Sequence, residues 1–105
     1  MPHAHNVFFA LKDSSPERCD TLVQECHEYL KGNKGVVGFS AGGRAAGCER
    51  DVNDVHFDVS LHMVFSDKSA HDAYQTAPRH MEFVERNKAN WEKVRVFDST
   101  ISVTK

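Results

Sequence analysis

The sequence lacks a large excess of charge of either sign, a long apolar run and any cysteine spacing typical of a metal site. Thirteen basic and fifteen acidic residues give a formal net charge of −2, so no basic surface for nucleic acid or an anionic membrane is expected. No apolar stretch approaches the roughly 20 residues of a membrane span, and "MPHAHNV" does not have the regions of a signal peptide. We therefore expect a cytoplasmic protein without nucleic-acid or membrane partners.

Cysteine is scarce, since the chain of 105 residues contains only three. An odd number at irregular spacing argues against a disulfide framework. Cys19 and Cys26 fall on the apolar side of a predicted helix, where cysteine usually acts as a small buried side chain. Cys48 falls in a polar, glycine-containing loop and is the candidate for a reactive thiol.

The periodicity of the apolar residues predicts one α+β domain covering residues 1–105. The predicted strands cover residues 3–12, 36–42, 55–65 and 93–103, and the predicted helices begin after Ser15, at Ser66 or Asp67, and at Pro78. This order is typical of a ferredoxin-like βαββαβ sandwich with a four-stranded antiparallel sheet. Right-handed connections place all helices on one face of that sheet.

The other face of the predicted sheet has no helix to cover it. Phe8 and Phe97 are expected there, mixed with His56 and His62. Because a half-apolar, uncovered sheet face commonly marks a subunit contact, we expect a homodimer formed through this face. By strict alternation along the third strand, Phe57 is expected on the opposite, helix-facing side together with Val59.

Two histidines near the start of the chain lie on a predicted strand face that is otherwise apolar. His5 is expected to point toward the helices, whereas His3 is expected to fray toward solvent. His80 lies on the inward side of the helix that Pro78 begins, and Tyr74 lies near the end of the helix before it. The pattern therefore predicts an apolar pocket with a few convergent polar groups, closed at one end by Trp91.

Three segments of the chain carry a family resemblance. "VFFALKD", "FSDKSAHDAYQTAPRHMEFV" and "WEKVRVFDSTI" resemble the stress-responsive α/β-barrel (Dabb) domain family in the same order, over nearly the whole chain. The segment "AYQTAPRH" is the most specific of them, because the family typically has a tyrosine, a proline and a histidine at this spacing. The resemblance implies a dimeric α+β barrel in which two ferredoxin-like sheets pack face to face.

The resemblance also implies a site, by similarity to the family's plant polyketide cyclases. In those enzymes the histidine matching His80 is the general base, and the tyrosine matching Tyr74 positions and polarises a substrate carbonyl. The expected ligand-binding residues are His5, Val7, Phe9, Val59, Leu61 and Trp91. The cyclases have a further histidine where this chain has Val59, and no cofactor or metal is expected.

Several functions are compatible with these residues. The pocket is expected to bind a small hydrophobic or polyketide-like ligand; the alternatives are a cofactor-independent cyclase-like lyase or monooxygenase, and a non-catalytic stress-associated protein. The pair His3 and His5 has the spacing of a metal-binding H-x-H motif, but the sequence shows no acidic partner for it. Removal of Met1 would expose Pro2, as in small tautomerases, although the rest of the chain does not resemble them.

Overall fold

The computed structural model describes residues 1–104 and has the predicted order of elements. The strands are β1 (His3–Leu11), β2 (Val36–Gly43), β3 (Val59–Phe65) and β4 (Trp91–Thr100), and the helices are α1 (Pro16–Tyr29), α2 (Lys68–Gln75) and α3 (Pro78–Asn87), with a single 3-10 turn (Lys88–Asn90) before β4. The four strands form one antiparallel sheet in the order β2-β3-β1-β4. The ferredoxin-like fold is confirmed.

Local sequence signals determine where the helices begin. The Ser15 hydroxyl accepts a hydrogen bond from the Arg18 amide at the start of α1, and the Asp67 carboxylate accepts one from the Ala70 amide at the start of α2. Each bond satisfies an amide that the helix itself leaves free. Pro16 and Pro78 occupy first-turn positions, where a missing amide proton costs nothing.

The chain turns sharply between α1 and β2 at Gly35, which has a φ of 87°. A Cβ atom at this position would lie 2.5 Å from the Cβ of Ala70 in α2. Glycine is therefore required here both for the left-handed backbone and for the close approach of α2.

Two strand boundaries differ from the sequence-based prediction. β3 begins at Val59 rather than at residue 55, because the Asp58 carboxylate accepts a hydrogen bond from the Leu11 amide at 2.8 Å and the chain bends there. The bend breaks the alternation, so Phe57 lies against Phe8 on the open face, with ring centroids 5.0 Å apart. β4 covers 91–100 rather than 93–103.

The helices cover the sheet unevenly. α1 packs over β2 and β3, whereas α2 contacts β1 and β3. α1 and α3 are joined by an ion pair between Glu25 and Arg86 at 2.7 Å, and the Arg79 guanidinium lies 4.3 Å from the centre of the Tyr29 ring. The helix layer is thus held together above a sheet whose β4 edge is less covered.

The face without helices carries an aromatic group around Phe8. The rings of Phe57, His62 and Phe97 lie 5.0, 5.9 and 5.8 Å from that of Phe8, and Phe97 is 54% exposed. Within residues 1–104, the helices all fall short of the length and apolarity that crossing a bilayer demands.

Candidate functional site

A cavity of about 350 Å³ lies between the sheet and helices α2 and α3. Its lining is mainly apolar at one end and polar at the other. The apolar lining residues are Val7, Phe9, Leu61, Phe83, Val84, Trp91, Val94 and Val96, and the polar ones are His5, His71, Tyr74, Gln75, His80 and Asp98. Strands β1, β3 and β4 therefore form the floor, while the break between α2 and α3 forms the roof.

The residues predicted from the sequence mostly meet in this cavity. His5, Tyr74 and His80 lie along the same space, and Val7, Phe9, Leu61 and Trp91 contribute to its wall. Val59 is the exception. It is fully buried in the core and does not line the cavity.

Tyr74 and His80 are neighbours, with ring centroids 4.5 Å apart. Nδ1 of His80 lies 3.1 Å from the Gln75 carbonyl oxygen; a carbonyl only accepts, so Nδ1 carries the proton and Nε2 of the neutral ring keeps its lone pair. Burial lowers the pKa of His80 below its ordinary value, which favours that neutral form.

The Tyr74 hydroxyl is a proton donor under ordinary conditions. Tyr74 is 3% exposed, and burial raises the pKa of its phenol far above the usual range. Within residues 1–104 this hydroxyl has no hydrogen-bond partner, so its proton is available to a molecule in the cavity. The pair thus offers a lone pair on His80 beside a phenolic O–H that stays protonated and can donate a hydrogen bond.

His5 is held by a carboxylate on the neighbouring strand. Asp98 stands opposite His5 in the β1–β4 ladder, and the His5 Nδ1–H donates to Asp98 Oδ1 at 2.7 Å. Burial lowers the pKa of His5, although the bond to Asp98 opposes this effect. Burial alone would raise the pKa of Asp98, but the bonds from His3 and His5 bring it below the usual value.

The prediction that His3 frays toward solvent is wrong. His3 is 7% exposed, its ring stacks on His71 with centroids 4.3 Å apart, and its Nε2–H donates to Asp98 Oδ1 at 2.9 Å. The cause is twofold: the pairing of β1 with β4 brings the Asp98 carboxylate to this end of the strand, and α2 places the His71 imidazole over it.

Sequence reasoning missed His71 and Asp98. His71 precedes Tyr74 by three positions, so a helical projection places both on one face of α2. Asp98 interrupts the apolar alternation of the last strand, and this interruption was the available signal. Together they supply the partners that the H-x-H pair lacked in the sequence.

Comparison with known proteins now identifies the family. The model of the stress-responsive A/B barrel domain, Dabb, matches residues 4–101. The chain belongs to the Dabb family. No curated protein shows significant similarity to it.

Solved structures with the same fold cover nearly the whole chain. A Dabb family protein with a ferredoxin-like fold from Mesorhizobium loti is 24% identical, with a TM-score of 0.78, over 97% of this chain and 98% of that one. A hydroxynitrile lyase from Passiflora edulis is 18% identical, with a TM-score of 0.76, over 99% and 96%. A dimeric ferredoxin-like protein of unknown function from Thermobifida fusca is 12% identical, with a TM-score of 0.77, over 96% and 92%. At these identities the likeness concerns the fold alone.

Proposed function

We propose that the protein binds a small hydrophobic or polyketide-like molecule, carrying a carbonyl or hydroxyl group, in the cavity between the sheet and helices α2 and α3. The observation that carries this proposal is the convergence of His5, Tyr74 and His80 on a space with otherwise apolar walls. Ligand sites combine such walls with a few polar groups that fix orientation. The volume of about 350 Å³ is near the lower end of the range for such sites, roughly 300–1,000 Å³, which favours a compact ligand.

General-base catalysis without a cofactor is the second candidate, and the state of His80 favours it. The Nε2 lone pair takes a proton from the carbon next to a carbonyl group, and the C–H electron pair becomes that of an enolate. The Tyr74 O–H donates a hydrogen bond to the enolate oxygen as negative charge develops on it. This is the first step that a cyclase-like lyase or a cofactor-independent monooxygenase requires. The solved hydroxynitrile lyase is a related fold with an assigned activity.

The test uses benzoylacetone, a compact aromatic β-diketone with an acidic methylene group. Trp91 is the only tryptophan in the sequence and lines the cavity, so its fluorescence reports occupancy directly. We expect saturable quenching, accompanied by the ultraviolet absorption of the enolate if His80 accepts the proton. His80→Ala is expected to weaken binding at least tenfold, or about 1.4 kcal/mol, and to abolish the enolate signal.

The matched control is His56→Ala, which removes an exposed imidazole outside the cavity and should leave the affinity for benzoylacetone unchanged. Tyr74→Phe keeps the ring and removes the donor, so it should weaken the enolate signal more than the binding. A His80→Ala protein that binds normally but has a strongly lowered melting temperature would show that His80 has a structural role. That result would favour the non-catalytic, stress-associated function.

We further propose that two copies associate through the open sheet face. Phe8, Phe57 and Phe97 form an aromatic surface there, and exposed apolar surfaces of this kind are typical of subunit contacts. The solved Thermobifida fusca protein with the same fold is dimeric. A second copy of the chain supplies a complementary surface of the same composition.

Sedimentation at micromolar concentration tests this association. We expect a species of about twice the chain mass of 11.8 kDa, and Phe97→Glu should convert it to the monomer because it places a charge in the aromatic surface. Met81→Glu makes the same kind of change at an exposed position on α3 (59% exposed) and should leave the dimer intact. Wild-type protein that sediments only at the chain mass contradicts the proposal.

A further inference from the structure

The polar end of the cavity contains a group of metal-ligand side chains that the proposed ligand binding does not explain. His3, His5, His71 and Asp98 each offer one ligand atom, and these atoms all lie within 4.8 Å of one another. His3 and His5 are buried, and His71 has only 12% of its side chain exposed. Three largely buried imidazoles around one carboxylate, whose side chain is 39% exposed, are uncommon as a purely structural arrangement, since two of the rings donate to one oxygen atom and the third faces the same atom.

The geometry centres on one oxygen atom. Asp98 Oδ1 lies 2.9 Å from His3 Nε2, 2.7 Å from His5 Nδ1 and 3.4 Å from His71 Nε2. Two ligand atoms bound to a tetrahedral Zn²⁺ at about 2.1 Å are about 3.4 Å apart. The three separations from Asp98 Oδ1 are therefore within 0.7 Å of the tetrahedral value, and those between the imidazole nitrogens are at most 4.8 Å, so side-chain rotations would admit an ion.

His71 is oriented as metal-ligating histidines are. Its Nδ1–H donates to the Asp72 carboxylate at 3.1 Å, so Nε2 of the neutral ring has the lone pair and faces Asp98 Oδ1 with no proton between the two atoms. A ring N–H held by a carboxylate is the usual outer support of a metal-bound imidazole. Gln75 donates to the same Nε2 at 3.1 Å, and its exposed side chain is free to rotate away.

The other two rings need only a change of tautomer. His3 and His5 donate to Asp98 through Nε2 and Nδ1; moving the proton to the second ring nitrogen frees the same atom to bind an ion, with no change in charge. An ion of charge +2 is balanced by Asp98 and by Asp72 behind His71. Imidazole and carboxylate ligands suit Zn²⁺ and the neighbouring divalent transition ions better than Ca²⁺ or Mg²⁺.

We propose that His3, His5, His71 and Asp98 bind one divalent transition-metal ion of the Zn²⁺ class at the polar end of the cavity. Three of the four ligands also line the cavity, so the ion stands in its wall, on the side of Tyr74 away from Trp91. His3 completes the site without lining the cavity. The metal site and the proposed ligand site share His5, but the metal site does not use Tyr74 or His80, so substitution of His80 tests the ligand site alone.

The test is direct titration of tag-free, chelator-treated protein with Zn²⁺ alone and with Co²⁺ alone. Calorimetry should give one Zn²⁺ per chain, and Co²⁺ should show the intense visible absorption of a tetrahedral N/O site. Zn²⁺ should also raise the melting temperature, because it binds the folded state. His71→Gln and Asp98→Asn are each expected to weaken Zn²⁺ binding at least tenfold and to remove the Co²⁺ bands.

Two control variants separate this proposal from others. His56→Ala removes a histidine outside the group and should leave the affinity for Zn²⁺ unchanged. His80→Ala should also bind Zn²⁺ normally while losing benzoylacetone, so failure of one site is distinguishable from failure of the other. The metal proposal is overturned if wild-type protein shows no saturable binding, or if His71→Gln and Asp98→Asn bind Zn²⁺ as tightly as wild type.

Discussion

The two halves of the layer between sheet and helices are packed differently, although one sheet forms the floor of both. Under α1, the core is filled by Leu22, Cys26, Leu30, Val59 and Met63, each no more than 3% exposed. Under α2 and α3, the same layer contains a cavity of about 350 Å³ with titratable groups in its wall. The layer under α1 is the filled half, and the layer under α2 and α3 is the hollow half.

The difference in packing between the two halves follows from the lengths of the helices that cover them. α1 is one helix of 14 residues that presents a regular apolar stripe. The opposite helical segment is broken at Thr76 and Ala77 into helices of 8 and 10 residues, and the break holds the roof away from β1 and β4. Where the roof is held away, Tyr74 and His80 contact each other and also line a space. The filled half stabilises the fold, and the hollow half is available for binding.

Truncation of a side chain should give the largest contrast between the halves. Leu30→Ala leaves a void among tightly packed neighbours and is expected to lower the free energy of unfolding by about 2–5 kcal/mol. Val84→Ala only enlarges an existing cavity and is expected to cost about 1 kcal/mol or less. Urea denaturation of both variants measures the difference, and equal losses would show that the two halves are packed alike.

The pH dependence of stability should also separate the halves, in opposite directions. In the hollow half, burial lowers the pKa of His80 below its ordinary value, so the unfolded chain binds this proton more readily. The stabilising contribution of neutral His80 is therefore present above about pH 6.5 and is lost as the pH falls toward the lowered pKa, by at most about 1.4 kcal/mol per pH unit for one proton.

In the filled half, burial raises the pKa of Cys26 from 9.0 to about 12. The unfolded chain then loses the thiol proton first, so stability declines as the pH rises above about 9 and continues to decline toward 12. Urea midpoints across this range, for wild type, His80→Ala and Cys26→Ala, measure both effects. His80→Ala should flatten only the acidic limb and Cys26→Ala only the alkaline limb between about pH 9 and pH 10, because the raised pKa of Tyr74 adds to the loss of stability above about pH 10; the reverse assignment contradicts the comparison.

Thiol labelling is expected to change stability least of these experiments. The order in which the cysteines react should still distinguish the halves. Cys48 is exposed, Cys19 is intermediate and Cys26 is buried, and all three are free. Iodoacetamide at pH 8 is expected to modify Cys48 first, because it is exposed, and Cys26 last, because burial both blocks access to its thiol and raises its pKa. Mass spectrometry follows the order of modification, and rapid modification of Cys26 would show that the filled half opens readily.

An intramolecular disulfide in native protein would contradict the expectation that the cysteines are dispensable to the structure.

The sequence predicted the elements better than their contacts. Caps such as Ser15 and Asp67 act within one turn, so the helix starts were predictable from neighbouring residues. The start of β3 was not, because it depends on a bond from Asp58 to the Leu11 amide, 47 positions away in the chain. Local periodicity carries no information about such a bond.

In the candidate site, too, the features set by neighbouring residues were predictable and those set by distant contacts were not. Alternation along β1 and the spacing from Pro78 were sufficient to predict that His5 and His80 line one cavity, as the structure has them. The group of His3, His71 and Asp98 depends on the register between β1 and β4, in which His5 pairs with Asp98. Strand order and register are set by the whole sheet, so the sequence alone left His3 without a partner.

The most direct test of the hollow half as a binding site is a methyl NMR titration with benzoylacetone. The methyl groups of Val7, Val84 and Val96 line the cavity and are expected to shift in a saturable manner. Those of Leu22 and Leu30, buried under α1, should keep their positions throughout. Saturation of the Val7, Val84 and Val96 signals alone supports the account. Equal shifts in Leu22 and Leu30, or no saturable shift at any methyl group, would contradict it.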